Sequence, residues 1–314
     1  MTTDNRPTDK GAVVITGTST GIGRACVLRL AREGYRVYAG VRKEDDGLAL
    51  QREATGTVIP LLLDVTNECH IKAAVERVAE ETGAAGIAAL VNNAGIAVTG
   101  PAELMPLDVF RDSFEINFFG TVAVTQAFLP LIRKGRGRLI NIGSVGDRLT
   151  LPFGAAFNST KHSLKVFNDA LRIELRPWGI HVVLLEPASI KTAAVDKLEP
   201  DAEAMLTRLG ERAERMYGTA YRSFIANFTM HPRRMGTPPE KVADVVFKAL
   251  VAEKPKTRYL VGHSAPPLSL IARLAPDRVF DRIRMVVFHL PRDFGDRAGE
   301  DVGTDVDRTP EPVA

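Results

Sequence analysis

Short runs of β character alternate with longer helical patterns along most of this chain, and that alternation leaves few folds open. Ala12 to Thr16 is a short apolar run. Glycine-rich residues follow it, then a helical pattern from Ile22 to Arg32 that stops at Gly34. Arg36 to Val41 reads as a second strand. Val58 to Leu63 reads as a third, and its near-continuous apolar character implies burial on both faces. Asn67 can cap a helix running to about Thr82, with Gly83 as its stop, and Ala88 to Val91 is a fourth strand. A long helical stretch from about Leu107 to Arg133 ends at Gly135 and Gly137. After it come a strand at Arg138 to Ile142, a helix from Ala155 to Trp178 stopped by Gly179, and a strand at Ile180 to Leu185. A helix at Glu240 to Glu253 and a strand at Arg258 to Val261 complete the series. Strands alternating with helices of about ten residues or more imply a parallel sheet covered on both faces. Right-handed crossovers make it doubly wound. The expected class is therefore α/β, with a doubly wound parallel seven-stranded sheet.

Composition removes several alternatives. Apolar residues make up 45% and charged residues 25%, which is ordinary globular usage and excludes a collagen-like chain, a disordered chain and a disulfide scaffold. The 41 basic and 38 acidic residues leave a net charge of +3, and no basic block strengthens it, so no nucleic-acid partner is expected. Cys26 and Cys69 stand alone without metal-ligand spacing, which suits a reducing compartment and no metal. Met1 to Lys10 is polar and lacks the apolar core of a signal peptide. No uninterrupted apolar run approaches the ~18 residues of a membrane span. The expected location is cytoplasmic.

The segment Thr16-Gly17-Thr18-Ser19-Thr20-Gly21-Ile22-Gly23 lies between the first strand and its helix. Glycine is needed where backbone turns tightly or approaches a pyrophosphate, and the helix N-terminus then offers N–H groups and the positive end of its dipole to the anion. The spacing, TGxxxGxG, resembles that of the short-chain dehydrogenase/reductase family, and other marks of that family follow in order. Asp64-Val65 follows the third strand, where the family holds adenine. Asn92-Asn93-Ala94-Gly95 follows the fourth, Asn117 lies within the long helix, and Ser144 follows the fifth strand. Pro187-Ala188-Ser189-Ile190-Lys191-Thr192 is similar to the family's PGxxxT, with alanine at its second position.

The resemblance covers about Gly11 to Gly262. It implies a Rossmann-like domain whose nicotinamide cofactor is held by Gly17, Ser19, Thr20, Gly21, Ile22, Gly23, Asp64, Val65, Asn93, Ala94, Gly95, Lys161, Pro187, Ile190 and Thr192. NAD-preferring relatives end the second strand with an acidic residue for the ribose hydroxyls. Here the strand ends Gly40-Val41-Arg42-Lys43, and Arg42 with Lys43 suits a 2′-phosphate dianion. Alternatively both cations are solvated and partnered by Glu44, Asp45 and Asp46. NADP(H) is the expected cofactor, with NAD as the alternative.

The family's catalytic motif is YxxxK. Its tyrosine exchanges a proton with the substrate oxygen, and its lysine lowers the tyrosine pKa and holds the nicotinamide ribose. A serine stabilises the same oxygen, and an asparagine holds a water in the proton relay. Asn117, Ser144 and Lys161 match these positions, but the motif reads Phe157-Asn158-Ser159-Thr160-Lys161. Phenylalanine neither donates nor accepts a proton, and losing a positioned acid costs about two to four decades in rate. Four explanations stay open. The chain carries a deliberate Tyr→Phe change, it is a cofactor-binding relative without turnover, another group (His162, Tyr217 or Tyr221) has taken the proton role, or the chemistry is not carbonyl reduction. His162 lies about 100° round the helix from Lys161 and points elsewhere.

Two segments break the rhythm. Residues 193–239 are helical in propensity and rich in Leu, Met, Phe and Tyr, and a long insertion at the carboxyl edge of a parallel sheet is where ligands bind. Phe153, Tyr217 and Tyr221, with Ser144, are expected at the substrate, and Val98 and Leu149 near the cleft. A largely apolar ligand follows. The resemblance points to the branch handling steroids, retinoids and similar lipophilic alcohols. In Pro266 to Pro291 apolar residues recur at helical spacing with arginines between them. That stripe is either core or a subunit contact, the more common outcome, or a basic amphipathic helix touching membrane.

The expected organisation is a flexible N-terminus over 1–10, a nucleotide-binding and catalytic domain over 11–265 with its covering segment at 193–239, an amphipathic helical extension over 266–294, and a disordered tail over 295–314. Relatives associate through the two long helices, so a homodimer or homotetramer is expected. The expected function is NAD(P)(H)-dependent oxidation or reduction of a hydroxy or keto group on a lipophilic small molecule, impaired or rerouted at Phe157. A silent nucleotide-binding interaction protein and a non-redox enzyme on the same scaffold are the alternatives.

Overall fold

The computed structural model describes residues 9–147 and 149–291. Most of the expected flexible N-terminus, the whole of the expected disordered tail and residues 292–294 of the extension lie outside the described residues. Seven strands form one sheet: β1 (Ala12–Ile15), β2 (Arg36–Val41), β3 (Val58–Leu62), β4 (Ala89–Asn92), β5 (Arg138–Ile142), β6 (His181–Pro187) and β7 (Arg258–Val261). Every pairing is parallel, and the order is β3-β2-β1-β4-β5-β6-β7. The chain winds outward from β1 to β3, then returns to place β4 on the other side of β1. The crevice at the carboxyl ends of β1 and β4 is the switch point of such a sheet.

Alternation along the strands divides the core into two layers. Val13 and Ile15 face α1 (Gly21–Arg32) and α9 (Pro239–Val251), whose Leu30, Val242 and Val246 are buried with them. Ala12 and Val14 face α3 (Glu68–Thr82), α5 (Gly120–Lys134) and α6 (Ala155–Glu174), contributing Val78, Phe128 and Leu171. Asn67 caps α3 as expected, its Oδ1 accepting the His70 N–H at 3.1 Å. The stretch Leu107–Lys134 is apolar and long enough to cross a membrane, with a mean hydropathy of 1.3. Its Val124, Phe128, Leu131 and Ile132 are nonetheless buried against the sheet.

Several elements differ from expectation. The long helix is interrupted: α4 (Leu107–Phe114) and α5 are joined by a π-helical turn over Glu115–Phe119. The second long helix ends at Glu174, and a 3₁₀ turn (Arg176–Trp178) carries the chain to Gly179 at φ 67°. A further helix, α2 (Glu44–Glu53), follows β2. Its first turn, Glu44, Asp45 and Asp46, complements the helix dipole, and it buries only Gly47 and Leu50. The insertion folds as α7 (Ala193–Ala213), broken at Gly210 (φ 79°, ψ −173°), then a π-helical turn and α8 (Thr219–Met235). The extension forms α10 (Ala265–Leu274) and α11 (Asp277–Val287). Of the outcomes open for this stripe, burial in the core of the chain does not hold. Leu270, Leu274, Val279, Val286 and Val287 are exposed, and Phe280 is the buried member of α11.

Candidate active site

The glycine turn after β1 is closed against the turn after β4. The backbone N–H groups of Asn93 and Ala94 both donate to Thr16 Oγ1 at 3.0 Å. Asn93 Nδ2 donates back to the carbonyls of Thr16 at 3.0 Å and Gly17 at 2.8 Å. Gly17 adopts φ +66°, and a Cβ there would stand 2.7 Å from Ala94 Cα. A Cβ on Gly23 would stand 2.2 Å from the Gly17 carbonyl oxygen and 2.5 Å from Asn93 Nδ2. Gly21, at φ +59°, lies against the Thr192 methyl. Thr20 occupies the N-cap of α1 without a side-chain cap, and the first turn holds no acid. The first N–H groups of α1 therefore lack a side-chain acceptor, beside the exposed Ser19 and Thr20, and face a position suited to an anion. Ile22 packs into the core beneath.

The end of β2 settles what the neighbouring position can carry. A Cβ on Gly40 would lie 2.9 Å from the Ile15 carbonyl, and Thr18 donates to the Gly40 carbonyl through both N–H and Oγ1 at 3.0 Å. Backbone fills the space a carboxylate would need. Arg42 and Lys43 are exposed and form no ion pair among the described residues, so the pairing with Glu44, Asp45 and Asp46 that stood as the alternative does not occur. Asp64 is held below the usual carboxylate range, first by the Thr66 N–H, then by its hydroxyl and the Arg42 charge. Arg42 and Asp64 thus share one corner of the sheet edge. Val65 is buried beneath them, against Gly120.

The other half of the site gathers at the ends of β4 and β5. The Lys161 ammonium is buried and donates to the Ile142 carbonyl at 3.0 Å. Burial pushes its pKa down to about 8, opposed by the nearby Asp147 carboxylate. It lies 5.8 Å from the centroid of the Phe157 ring. A Cβ on Gly95 would be 3.0 Å from Asn117 Oδ1 and 3.9 Å from Lys161 Nζ, so these three positions converge. The π-helical turn presents Asn117 inward. Its amide accepts the Ile96 N–H at 2.7 Å and donates to the Ile96 carbonyl at 2.9 Å and Thr160 Oγ1 at 3.1 Å. Thr121 Oγ1 donates to the Asn117 carbonyl at 3.1 Å. The Asn117 side chain therefore clamps the loop after β4, and Thr160 joins it to the helix carrying Phe157 and Lys161. Ser144 Oγ accepts the Gly146 N–H at 3.0 Å. Pro187 ends β6, and Ile190 pairs with Thr237.

The side chains offered as substitute acids are engaged elsewhere. His162 is exposed, with Nδ1 3.0 Å from the Asn158 carbonyl of its own helix. Tyr217 Oη donates to Glu103, which together with burial raises its pKa. Tyr221 is fully buried with its hydroxyl 2.7 Å from Thr99 Oγ1, and burial pushes its pKa up to about 12. Both tyrosine rings, with Phe224, contact Phe153 at 5.0 to 6.3 Å and form an aromatic wall. Phe153 holds φ 57°, unusual for a large side chain, and its carbonyl is fixed by the Gly100 N–H at 2.7 Å.

Thr16, Thr18 and Thr160 stand inside the motifs without a role of their own, and no sequence signal marks Thr99. A threonine at a strand end is commonplace, and only the tertiary partner gives it a task. The residues present fit a dinucleotide: a side-chain-free cradle, an uncapped helix N-terminus, a free arginine beside the adenine corner and a buried ammonium at the far end.

A family model described as short chain dehydrogenase matches residues 11–203. The chain is similar to an NADPH-dependent 3-dehydrocapnine reductase from Ornithobacterium rhinotracheale, 33% identical over 275 residues, which cover 86% of this chain and 94% of that protein. Retinol dehydrogenase 5 from Mus musculus is 32% identical over 291 residues, 91% of each chain. Among solved structures, an actinorhodin polyketide ketoreductase with NADPH matches with a TM-score of 0.65 at 26% identity, over 80% of this chain and 95% of that one.

Proposed function

The chain belongs to the short-chain dehydrogenase family, and from that premise we propose that it is an NADP(H)-dependent oxidoreductase for a hydroxy or keto group on a lipophilic small molecule. The observation that carries this reading is the placement of the glycine cradle and the buried Lys161 ammonium at one sheet edge. In it Gly17, Ser19, Thr20, Gly21, Ile22 and Gly23 receive the pyrophosphate. Arg42 takes the 2′-phosphate, and Asp64 with Val65 borders the adenine. Asn93, Ala94 and Gly95 shape the floor, and Pro187, Ile190 and Thr192 border the nicotinamide. NADP(H) is favoured over NAD because backbone crowds Gly40 and leaves Arg42 free. The similar reductase is NADPH-dependent by name, and the similar ketoreductase holds NADPH.

A bound nicotinamide supplies the exchange of hydride with the substrate carbon. The protein's own task is to hold the substrate oxygen and manage its proton. Ser144 offers a hydroxyl to that oxygen, Lys161 grips the ribose, and the wall of Phe153, Tyr217 and Tyr221 encloses an apolar body. Phe157 gives the oxygen no proton. Phe157→Tyr restores an acid within reach of Lys161 and should raise turnover on a panel of lipophilic ketones by about two to four decades. No rise on a substrate shown to bind would count against the reading.

The engagement of His162, Tyr217 and Tyr221 favours a second reading, a nucleotide-binding protein without turnover. It predicts NADPH uptake with no oxidation by either protein. In both readings the chain pairs with a second copy through α5 and α6. Val166 and Ile173 of α6 are exposed there, as is Phe119 in the π-helical turn leading into α5, and the ring centroids of Phe118 and Phe167 lie 6.2 Å apart.

A further inference from the structure

Helix α11 carries one broad apolar arc that is docked along one edge and exposed over the rest. At the docked edge Phe280 is buried, and Phe288, just past the helix, meets the rings of Phe224 and Phe228 on α8 at 5.1 and 6.3 Å. Ser223 Oγ donates to the His289 carbonyl at 3.0 Å, and Arg284 donates to the Thr150 carbonyl. The rest of the arc is a stripe of Val279, Ile283, Val286 and Val287, spaced i, i+4, i+7 and i+8 and exposed by 37% to 74%. Packing against the body does not require it. Leu270 and Leu274 of α10 are exposed by 58% and 70% just before it. Arg278 and Arg282 stand one turn apart on a flank of the stripe, exposed and without an ion pair among the described residues. The acids of α11 lie round the helix from the stripe, and Asp281 is tied to Arg284.

We propose that this face docks on an anionic phospholipid bilayer, with the aliphatic stripe entering the acyl boundary and Arg278 and Arg282 reaching the headgroup phosphates. Long arginine side chains beside an apolar stripe suit that boundary. A second copy of the chain fits the face less well, because an isologous contact would bury both arginines, and the acid of the helix nearest them, Asp281, is already tied to Arg284. Docking is independent of the catalytic reading. Only the use made of it rests on that reading. Phe288 touches Phe224, which touches Phe153, so one aromatic layer separates the bilayer-facing helix from the wall of the proposed substrate cleft. A lipophilic substrate dissolved in the bilayer is thereby brought to the cleft.

The test is co-sedimentation of the full chain with vesicles of equal parts phosphatidylcholine and phosphatidylglycerol, beside vesicles of phosphatidylcholine alone. The anionic vesicles should pellet the protein, and the neutral ones much less. Arg278→Gln and Arg282→Gln should each weaken binding about fivefold and blunt its salt dependence. Val286→Asp with Val287→Asp should abolish it. Thermal melting certifies each fold without reference to cofactor, and the arginine variants touch only exposed groups. Protein left in the supernatant with both vesicles overturns the proposal, as does equal pelleting of the parent and the aspartate variant. Loss of an oligomer in the aspartate variant, with no vesicle binding by the parent, assigns the face to a second copy instead.

Discussion

At the scale of the residue, Lys161 is where charge, burial and chemistry meet. Burial holds its folded pKa near 8, below the ordinary 10.5, so between those values the unfolded chain binds more protons. This contribution to stability is full above about pH 10.5 and lost as pH falls through about 8. Below that the cost of burying the charge is on the order of 3 kcal/mol. Lys161→Met should therefore stabilise the cofactor-free protein near neutral pH, with a gain that fades as the pH is raised toward 10.5. Urea unfolding of both proteins across that range checks this, and a gain independent of pH would deny that the ammonium is desolvated. The glycine positions were legible in the sequence because a missing Cβ is a local fact. The partners of Tyr217 and Tyr221 were not, since Glu103 and Thr99 lie more than a hundred residues away in the chain.

At the scale of the element, the central strands β1 and β4 were readable because every residue in them is buried and the runs are short and largely apolar. The burial on both faces expected of Val58–Leu63 does not hold, because β3 is an edge strand whose Ile59 and Pro60 are half-buried and whose Leu62 is exposed. Helix α2 was hidden by its charges: with Gly47 and Leu50 as its buried residues, no apolar stripe announces it. The π-helical turn at Glu115–Phe119 was hidden differently, because a widened turn leaves the apolar pattern nearly unchanged while it re-aims Asn117. The covering helices are fixed to the body by polar bonds as well as rings. Tyr221 joins α8 to the loop after β4 through Thr99. Tyr221→Phe should cost about 1 kcal/mol of stability and leave turnover in the Phe157→Tyr background unchanged. Intact stability with turnover lost would instead give that hydroxyl a chemical role.

At the scale of the whole molecule, the strand order places the cradle and Lys161 on opposite sides of one crevice, and the alternation of elements foretold it because right-handed crossovers leave little else. The direction faced by α11 was beyond the sequence, since helical spacing marks an apolar side without saying whether protein or solvent meets it. The pairing face proposed on α6 makes its own prediction. Val166→Glu with Ile173→Glu should convert the assembly to monomers in sedimentation velocity with the melting temperature retained, and an unchanged oligomer would place the contact elsewhere. The central claim is that NADP(H) lies across this sheet edge, and calorimetric titration of the full chain with each oxidised and reduced nicotinamide nucleotide tests it most directly. Saturable uptake of NADPH is expected, tighter than that of NADH, abolished by Gly23→Val and brought down toward the NADH level by Arg42→Ala. A cooperatively melting protein that takes up none of these nucleotides would contradict the account.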